Sequence, residues 1–354
     1  MTDFNGQIKK KADVLDKIEF AKKKLGKDLI ILAHYYEHHD IVRFADFVGD
    51  SLQLAQAASE QKNARYIVFC AVSFMAETAR ILCGPGQEVF HPEPDAKCSL
   101  AEMANIDDVE KAWIAIQKTD KKVVPVVYVN SNTDLKAFCG RNEGMACTSA
   151  NAKKIMKHIL SENKIPFFFP DENLGRNTSH SMGISDDGIF LWDPLADNGD
   201  KNIVLIKNAL AFVWKGFCVT HTTFSEHDIK DLRNKYDGIK IVVHPECSPD
   251  VVNLSDFSGS TSFIKNIVEN SDAGSKWAIG TEINFVNSVI KSNPDKFIMP
   301  LKVSGCNDME KVTPEKLLYV LEGIMEGRKI NPVYIDESYI ELARTALKRM
   351  LEVN

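Results

Sequence analysis

The sequence predicts an α/β fold built on parallel strands, and three observations predict it. Six short apolar runs each end in polar residues. Amphipathic helical patterns alternate with those runs. The succession of strand, polar end, Ser/Thr-bearing turn, helix and second strand comes round three times. Continuous β-branched and aromatic runs suit parallel strands covered on both faces, and alternation of strand with helix is the pattern of α/β units.

The six runs follow in order. DLIILAHYYEHH runs into His34, Tyr35 and Tyr36, and RYIVFCAVSFMAETA ends near Ser73 and Phe74. KVVPVVYVNSNTD ends at Tyr128, Asn130 and Ser131, and KIPFFFPDENLGR at Asp171 and Asn173. IKIVVHPEC ends at His244 and Glu246, and SKWAIGTEINF at Thr281 and Glu282. Between them DSLQLAQAASEQ, NAKKIMKHILSEN and TSFIKNIVENS read as helices. The repeat pairs AHYY with VGDS, YVNSN with CTSAN, and VVHPEC with SGSTS. Two architectures give this rhythm: three related α/β units about a pseudo-threefold axis, or one large doubly wound sheet. Residues 179–202, rich in Gly, Asp and Asn, read as an inserted loop or small hairpin. Two amphipathic helices, PEKLLYVLEGIMEGRKI and DESYIELARTALKRMLEV, close the chain.

Composition narrows the function. The 354 residues are 44% hydrophobic and 26% charged, as in ordinary globular domains. With 43 basic and 49 acidic side chains the net charge is −6, which gives no global attraction for nucleic acid or anionic lipid. No apolar run approaches the ~20 residues that cross a bilayer. The opening MTDFNGQIKKKADVLDKI carries no apolar signal stretch, so the expected compartment is the cytoplasm.

Three of the eight cysteines stand apart by context: Cys98 in PDAKCSLAE, Cys218 in WKGFCVTH and Cys306 in VSGCNDM, each in a loop after an apolar stretch. Three thiolates from distant segments can hold a metal or cluster with one position open. Buried structural cysteine is the competing reading. No CxxC pair occurs, so a local zinc knuckle has little support.

Ligands of parallel α/β sheets bind outside the carboxyl ends of the strands. His34, Tyr36, Tyr128, Asn130, His244 and Glu246 fall at such ends. A His and a carboxylate two residues apart are suited to proton transfer from carbon. Ser51, Ser149 and Thr261 are each expected to open a helix, either as ordinary N-caps or as anion sites using the helix amides. No Walker A or GxGxxG pattern supports nucleotide binding.

Taken together, AHYY, DFVGDSLQLA, FMAETA, CSLAE, YVN, CTSAN, PDENLGR, GFCVTH, HPEC and GSTS occur in an order that resembles the quinolinate synthase family, from about residue 29 to 350. The resemblance implies three homologous three-layer α/β/α domains with small parallel sheets around a pseudo-threefold axis. Their expected extents are 1–97 with the C-terminal helices 307–354, then 98–217, then 218–306. It further implies a [4Fe–4S] cluster on Cys98, Cys218 and Cys306, whose open iron acts as a Lewis acid. The implied reaction condenses iminosuccinate (iminoaspartate) with dihydroxyacetone phosphate to quinolinate, phosphate and water, in NAD biosynthesis. His34, Ser51, Tyr128, Asn130, Ser149, His244, Glu246 and Thr261 are the implied substrate contacts. Among these Glu246 is the expected base and His244 orients substrate or shares protons, while Tyr36 is an expected acid/base. Transient hand-over from an L-aspartate-oxidising enzyme is the implied partner step.

Some features depart from the family's pattern. Lys97 stands where Gly is common, Glu37 follows HYY in place of Gln, and the segments 179–202 and CGRNEGMAC are lengthened. Two other functions compete on the residues alone. A class II-type aldolase with a divalent metal would use the same His and Glu strand ends. An iron–sulfur sensor would need a basic patch or helix-turn-helix, and the sequence has neither.

Overall fold

The computed structural model describes residues 4–119, 121–196 and 203–353; positions 197–202, the end of the inserted segment, lie outside the described residues. The runs with the most continuous apolar character form the inner strands of three small parallel sheets, and shorter runs flank them. Chain contacts divide the molecule into two units, residues 1–97 with 306–335, and residues 98–305 with 336–354.

The first unit holds one sheet. LIILAH forms β1 (Leu29–His34), with β2 (Phe47–Gly49) on one side and β3 (Tyr66–Cys70) on the other, and β4 (Glu88–Phe90) beyond β3. All three pairings are parallel. Ile31, Ala33 and Val68 face a core shared with Ile18, Ala21, Leu317 and Leu321 of the helices Phe4–Leu25 and Pro314–Met325, which pack on each other. Leu32, Ile67 and Phe69 alternate to the opposite face and are buried as well. Burial of each such side chain stabilises by about 1.5–3 kcal/mol. The helices Ser51–Glu60 and Ser73–Leu82 pack together and return the chain between strands.

The second unit holds two sheets. In one, β5 (Val123–Tyr128) lies between β6 (Met145–Cys147) and β7 (Ile165–Phe169), followed outward by β9 (Ala211–Trp214) and the edge strand β8 (Ile189–Trp192). In the other, β10 (Lys240–Val243) lies between β11 (Phe257–Ser258) and β12 (Lys276–Gly280), with β13 (Phe297–Pro300) outermost. Every pairing is parallel. Each of the three sheets places its first strand between its second and third, so three α/β units, not one large doubly wound sheet, account for the rhythm of the sequence. A shared device marks the likeness of the first and third sheets. The Ile31 amide donates to Asp46 Oδ2 at 2.8 Å, and the Ile241 amide to Asp256 Oδ2 at 2.7 Å.

Two expectations change. The described part of the segment, residues 179–196, does not form a hairpin: β8 pairs in parallel with β9 and extends the second sheet by an edge strand. The last helix, Glu337–Glu352, expected with the first domain, packs instead on the helix Thr133–Arg141 and on β6 of the second unit. Its amphipathic spacing specifies a buried face but not the partner of that face. Gly140 allows the close approach, because a Cβ there would sit 1.9 Å from the Leu342 carbonyl oxygen. Arg349 Nη1 then donates to the Gly144 carbonyl at 2.8 Å. Among the described residues, no helix is long and apolar enough to cross a membrane.

Candidate active site

In the first unit, β1 delivers His34 to its carboxyl end, opposite Gly49 of β2. The Tyr36 amide donates to His34 Nδ1 at 3.2 Å, and the two rings meet edge to face with centroids 4.6 Å apart. His34 is thereby buried while Tyr36 stays half-buried. Ser51 follows the β2 turn as the first residue of its helix. It is not the cap. Asp50 fills that role, accepting from the Leu52 and Gln53 amides at 3.1 and 3.0 Å, and Gln53 Oε1 accepts from the Asp50 amide in return.

The same correction applies in the second unit. Ser260 caps the helix Thr261–Glu269, accepting from the Phe263 amide, so Thr261 is again the first helical residue. Ser149 lies in the turn after β6, two residues before the Asn151 position that precedes the helix Ala152–Ser161. The Ser149 hydroxyl instead bonds His244 Nε2 at 3.1 Å.

That bond leads into a buried polar cluster of the second unit. Glu246, 2% exposed, follows β10 by three residues. Its Oε2 lies 2.6 Å from His221 Nδ1 and 3.7 Å from His244 Nδ1. The Tyr128 hydroxyl also bonds this carboxylate. Burial pushes the Glu246 carboxyl up, but His221, His244 and Tyr128 together outweigh it and hold the group at about 2, as a carboxylate. Nearby Asp171 behaves oppositely. It is fully buried, Oδ1 accepts from the Leu174 amide at 2.6 Å, and burial reinforced by the Glu246 charge pushes its carboxyl well up. Asn177 Nδ2 donates to the carbonyls of Pro245 and Cys247, at 2.9 and 2.8 Å, and so pins the loop on both sides of Glu246.

His221 completes the cluster. Its Nε2 meets Thr281 Oγ1 at 3.0 Å and its Nδ1 lies 3.2 Å from Cys218 Sγ. The residues around it are anchored: Thr220 Oγ1 donates to the Gly305 carbonyl, and Ser304 Oγ to the Thr220 carbonyl. The turn after Cys98 is tied to the same loop, since Trp214 Nε1 donates to the Met103 carbonyl at 3.0 Å and the Phe217 amide to Met103 Sδ.

The three loop cysteines share one construction. The Cys98, Cys218 and Cys306 carbonyls accept from the amides of Glu102, Thr222 and Glu310, four residues on in each case. A 3₁₀ turn follows each, at Ala101–Met103, His221–Thr223 and Met309–Lys311. A side-chain cap then stands seven residues after each cysteine, at Asn105, Ser225 and Thr313, and opens a helix. These three cysteines are half-exposed and the other five are buried. Burial raises the thiols of Cys70, Cys139, Cys147 and Cys247 well above the ordinary range, which marks them as packing groups.

The structure thus joins His34 with Tyr36 in the first unit, and Tyr128, Ser149, His244 and Glu246 in the second. Asn130 follows β5 with Oδ1 buried and without a hydrogen-bond partner, and Thr261 follows β11. Sequence reasoning missed His221, Asn177 and the pairing of Thr281 with His221. For His221 one signal existed: it stands three residues after Cys218, a spacing that puts both side chains on one side of a turn.

The family model for the quinolinate synthetase A protein (NadA) matches residues 16–352. A quinolinate synthase of Bacillus cereus strain AH187 is 42% identical over 347 residues, which cover 96% of this chain and 93% of the relative. One from Bacillus cereus strain G9842 is 42% identical over 349 residues, covering 97% and 94%. One from Bacillus anthracis strain CDC 684 / NRRL 3495 is 42% identical over 347 residues, covering 96% and 93%.

Proposed function

Since the chain belongs to the quinolinate synthetase A family, enzymes of NAD biosynthesis, we propose that it condenses iminosuccinate with dihydroxyacetone phosphate to give quinolinate, phosphate and water. The observation that carries the reading is the buried Glu246 carboxylate, bonded by His221 and Tyr128 with the His244 imidazole 3.7 Å away. A carbon–carbon condensation needs a proton taken from carbon and others returned to leaving oxygens. A carboxylate with adjoining His and Tyr groups can do both.

In this reading Glu246 is the base, and His244, held by Ser149, orients substrate or passes protons. Tyr128, Asn130, Ser149 and Thr261 bind substrate from the second unit. His34 and Ser51 do so from the first, with Tyr36 as an acid/base. Both substrates are anionic. Because Asp50 and Ser260 already cap their helices, the Ser51 and Thr261 hydroxyls are not consumed in capping, which supports their use as anion contacts.

The donor set fits a [4Fe–4S] cluster: the three half-exposed cysteines of the chain sit on one repeated turn, and thiolate is the ligand such clusters take. Cys98, Cys218 and Cys306 would hold it, and when bound it supplies a Lewis-acidic iron with one position open. We assign the three domains to 1–97 with the C-terminal segment 307–335, 98–217 and 218–306, the compartment to the cytoplasm, and the source of iminosuccinate to transient hand-over from an L-aspartate-oxidising enzyme.

Anaerobic purification with iron, sulfide and visible absorption, on the wild type and on Cys98→Ala, Cys218→Ala and Cys306→Ala, tests the cofactor. About four irons and four sulfides per chain, lost in each variant, are expected. A quinolinate assay on the loaded enzyme tests the substrates. A chain freed of zinc by chelation that still stays colourless after reconstitution, or a loaded enzyme that forms no quinolinate, overturns the reading.

A further inference from the structure

Cys218, His221 and Glu246 each offer a ligand atom, and these atoms all lie within 4.8 Å of one another. The set is one sulfur, one nitrogen and one oxygen, the mixture that zinc accepts. We propose that, in the chain without its cluster, these three side chains bind a zinc ion and leave a fourth position open. The binding itself is independent of the proposed reaction; only its consequence for the cluster rests on that reading.

The geometry is close to what the ion requires. Zinc bonds of ~2.0–2.3 Å in a tetrahedron set neighbouring donors roughly 3.3–3.8 Å apart. His221 Nδ1 is already 3.2 Å from Cys218 Sγ. Its 2.6 Å contact with Glu246 Oε2 must open by somewhat under ~1 Å, the ion replacing the proton in that hydrogen bond. Glu246 Oε1 is buried with no hydrogen-bond partner and gives the carboxylate a second oxygen for the same ion.

The surroundings are those of a built site. The second nitrogen of a metal-bound imidazole commonly bonds an outer partner that fixes the ring, and His221 Nε2 has Thr281 Oγ1 at 3.0 Å. Asn177 holds the backbone on both sides of Glu246. His221 and Glu246 are 1% and 2% exposed, so little water competes for them, while half-exposed Cys218 gives the ion a way in. Sites of this composition bind zinc more tightly than iron(II).

Zinc here would take Cys218 from the cluster and Glu246 from the substrate at once. The cluster-free chain is therefore open to capture by zinc, and capture blocks cluster assembly. A colourless, zinc-containing preparation would then report a trapped quinolinate synthase, not an aldolase.

The test uses the full chain, stripped of metal by chelation under anaerobic reducing conditions, with cobalt(II) as the visible reporter and zinc as competitor. One equivalent of cobalt should give the intense visible bands of a four-coordinate ion and a thiolate-to-cobalt charge-transfer band, both erased by zinc. Cys218→Ser should remove the charge-transfer band. Thr281→Val, which leaves every ligand in place, should weaken binding by about 10–100-fold. Cys98→Ser and Cys306→Ser should bind as the wild type does. Weak six-coordinate bands, unchanged affinity in Thr281→Val, or loss of cobalt in Cys98→Ser would each overturn the proposal, the last by placing the ion among the loop cysteines. None of these readouts involves quinolinate, so failure of the proposed reaction would leave them interpretable. In the wild type, one equivalent of zinc should also prevent iron and sulfide uptake on reconstitution; full uptake with zinc still bound would refute the exclusion.

Discussion

The imidazoles of His221 and His244 are stacked, with centroids 4.4 Å apart and planes 22° from parallel, and both present Nδ1 to the same oxygen of Glu246. Stacking leaves only the ring edges for polar contact. His221 bonds the carboxylate directly, while His244 Nδ1 accepts from the Glu246 amide at 3.4 Å, and the remaining ring nitrogens meet Thr281 and Ser149.

Glu246→Gln keeps the shape of this group and removes its charge. Quinolinate formation by the loaded enzyme should fall by about 10²–10⁴-fold, with iron and sulfide content unchanged. Turnover near the wild-type rate would remove Glu246 from the role of base.

The His221–Glu246 contact should appear as coupling in a double-mutant cycle. His221→Gln and Glu246→Gln should each destabilise the metal-free chain, and the double variant should lose less than their sum, by about 0.5–3 kcal/mol. Each single change strands a buried partner, whereas the double change removes both. Additive urea midpoints would show that the contact contributes nothing.

Asn177 touches no proposed substrate position, yet it ties down the Pro245 and Cys247 carbonyls. In Asn177→Ala, kcat should fall by up to about 100-fold through misplacement of Glu246, with iron content retained and KM little changed. A loss confined to thermal stability would assign Asn177 a structural role only.

His91, in the first unit, is buried and donates Nε2–H to the Ala71 carbonyl at 2.6 Å. Burial holds its pKa below the usual histidine range. The folded chain therefore resists a proton that the unfolded chain accepts, so stability falls as pH drops below about 6.5 toward the folded value. His91→Gln can keep the donor and cannot titrate. Its stability should vary less than the wild type's between pH 7 and 5 in chemical denaturation; equal slopes would contradict the assignment.

Gly140→Ala places a methyl group against the Leu342 carbonyl oxygen, which is backbone and cannot rotate away. The expected cost is about 1–3 kcal/mol, read as a lower melting temperature and faster amide exchange in the helix Glu337–Glu352. An unchanged melting temperature would mean the helices separate freely.

The inner strands were legible because LIILAH, VVPVVY and IPFFF are long, continuous apolar runs that only doubly covered strands require. The outer strands β2, β6 and β11 have two or three residues, too few for a period to register. At the Asp50–Ser51 and Ser260–Thr261 pairs two competent caps stand side by side, and only the backbone angles decide which one serves. The spacing from cysteine to cap was readable, since Cys98 to Asn105, Cys218 to Ser225 and Cys306 to Thr313 are equal intervals. The partnership of His221 with Glu246 was not. It joins two loops 25 residues apart, and nothing local in either one names the other.

The interleaving of the two units bears on how the chain is made. A ribosome releases residues in order, so residues 1–97 emerge early but wait for 306–335 before their sheet is covered by the helix Pro314–Met325. The segment 98–305 waits longer, because the helix that seals Thr133–Arg141 lies at 337–352. Each unit therefore needs two stretches of chain far apart in sequence before it can close. Both keep apolar surface uncovered until their later segments emerge, and transiently exposed apolar surface of this kind makes an incomplete chain prone to aggregate.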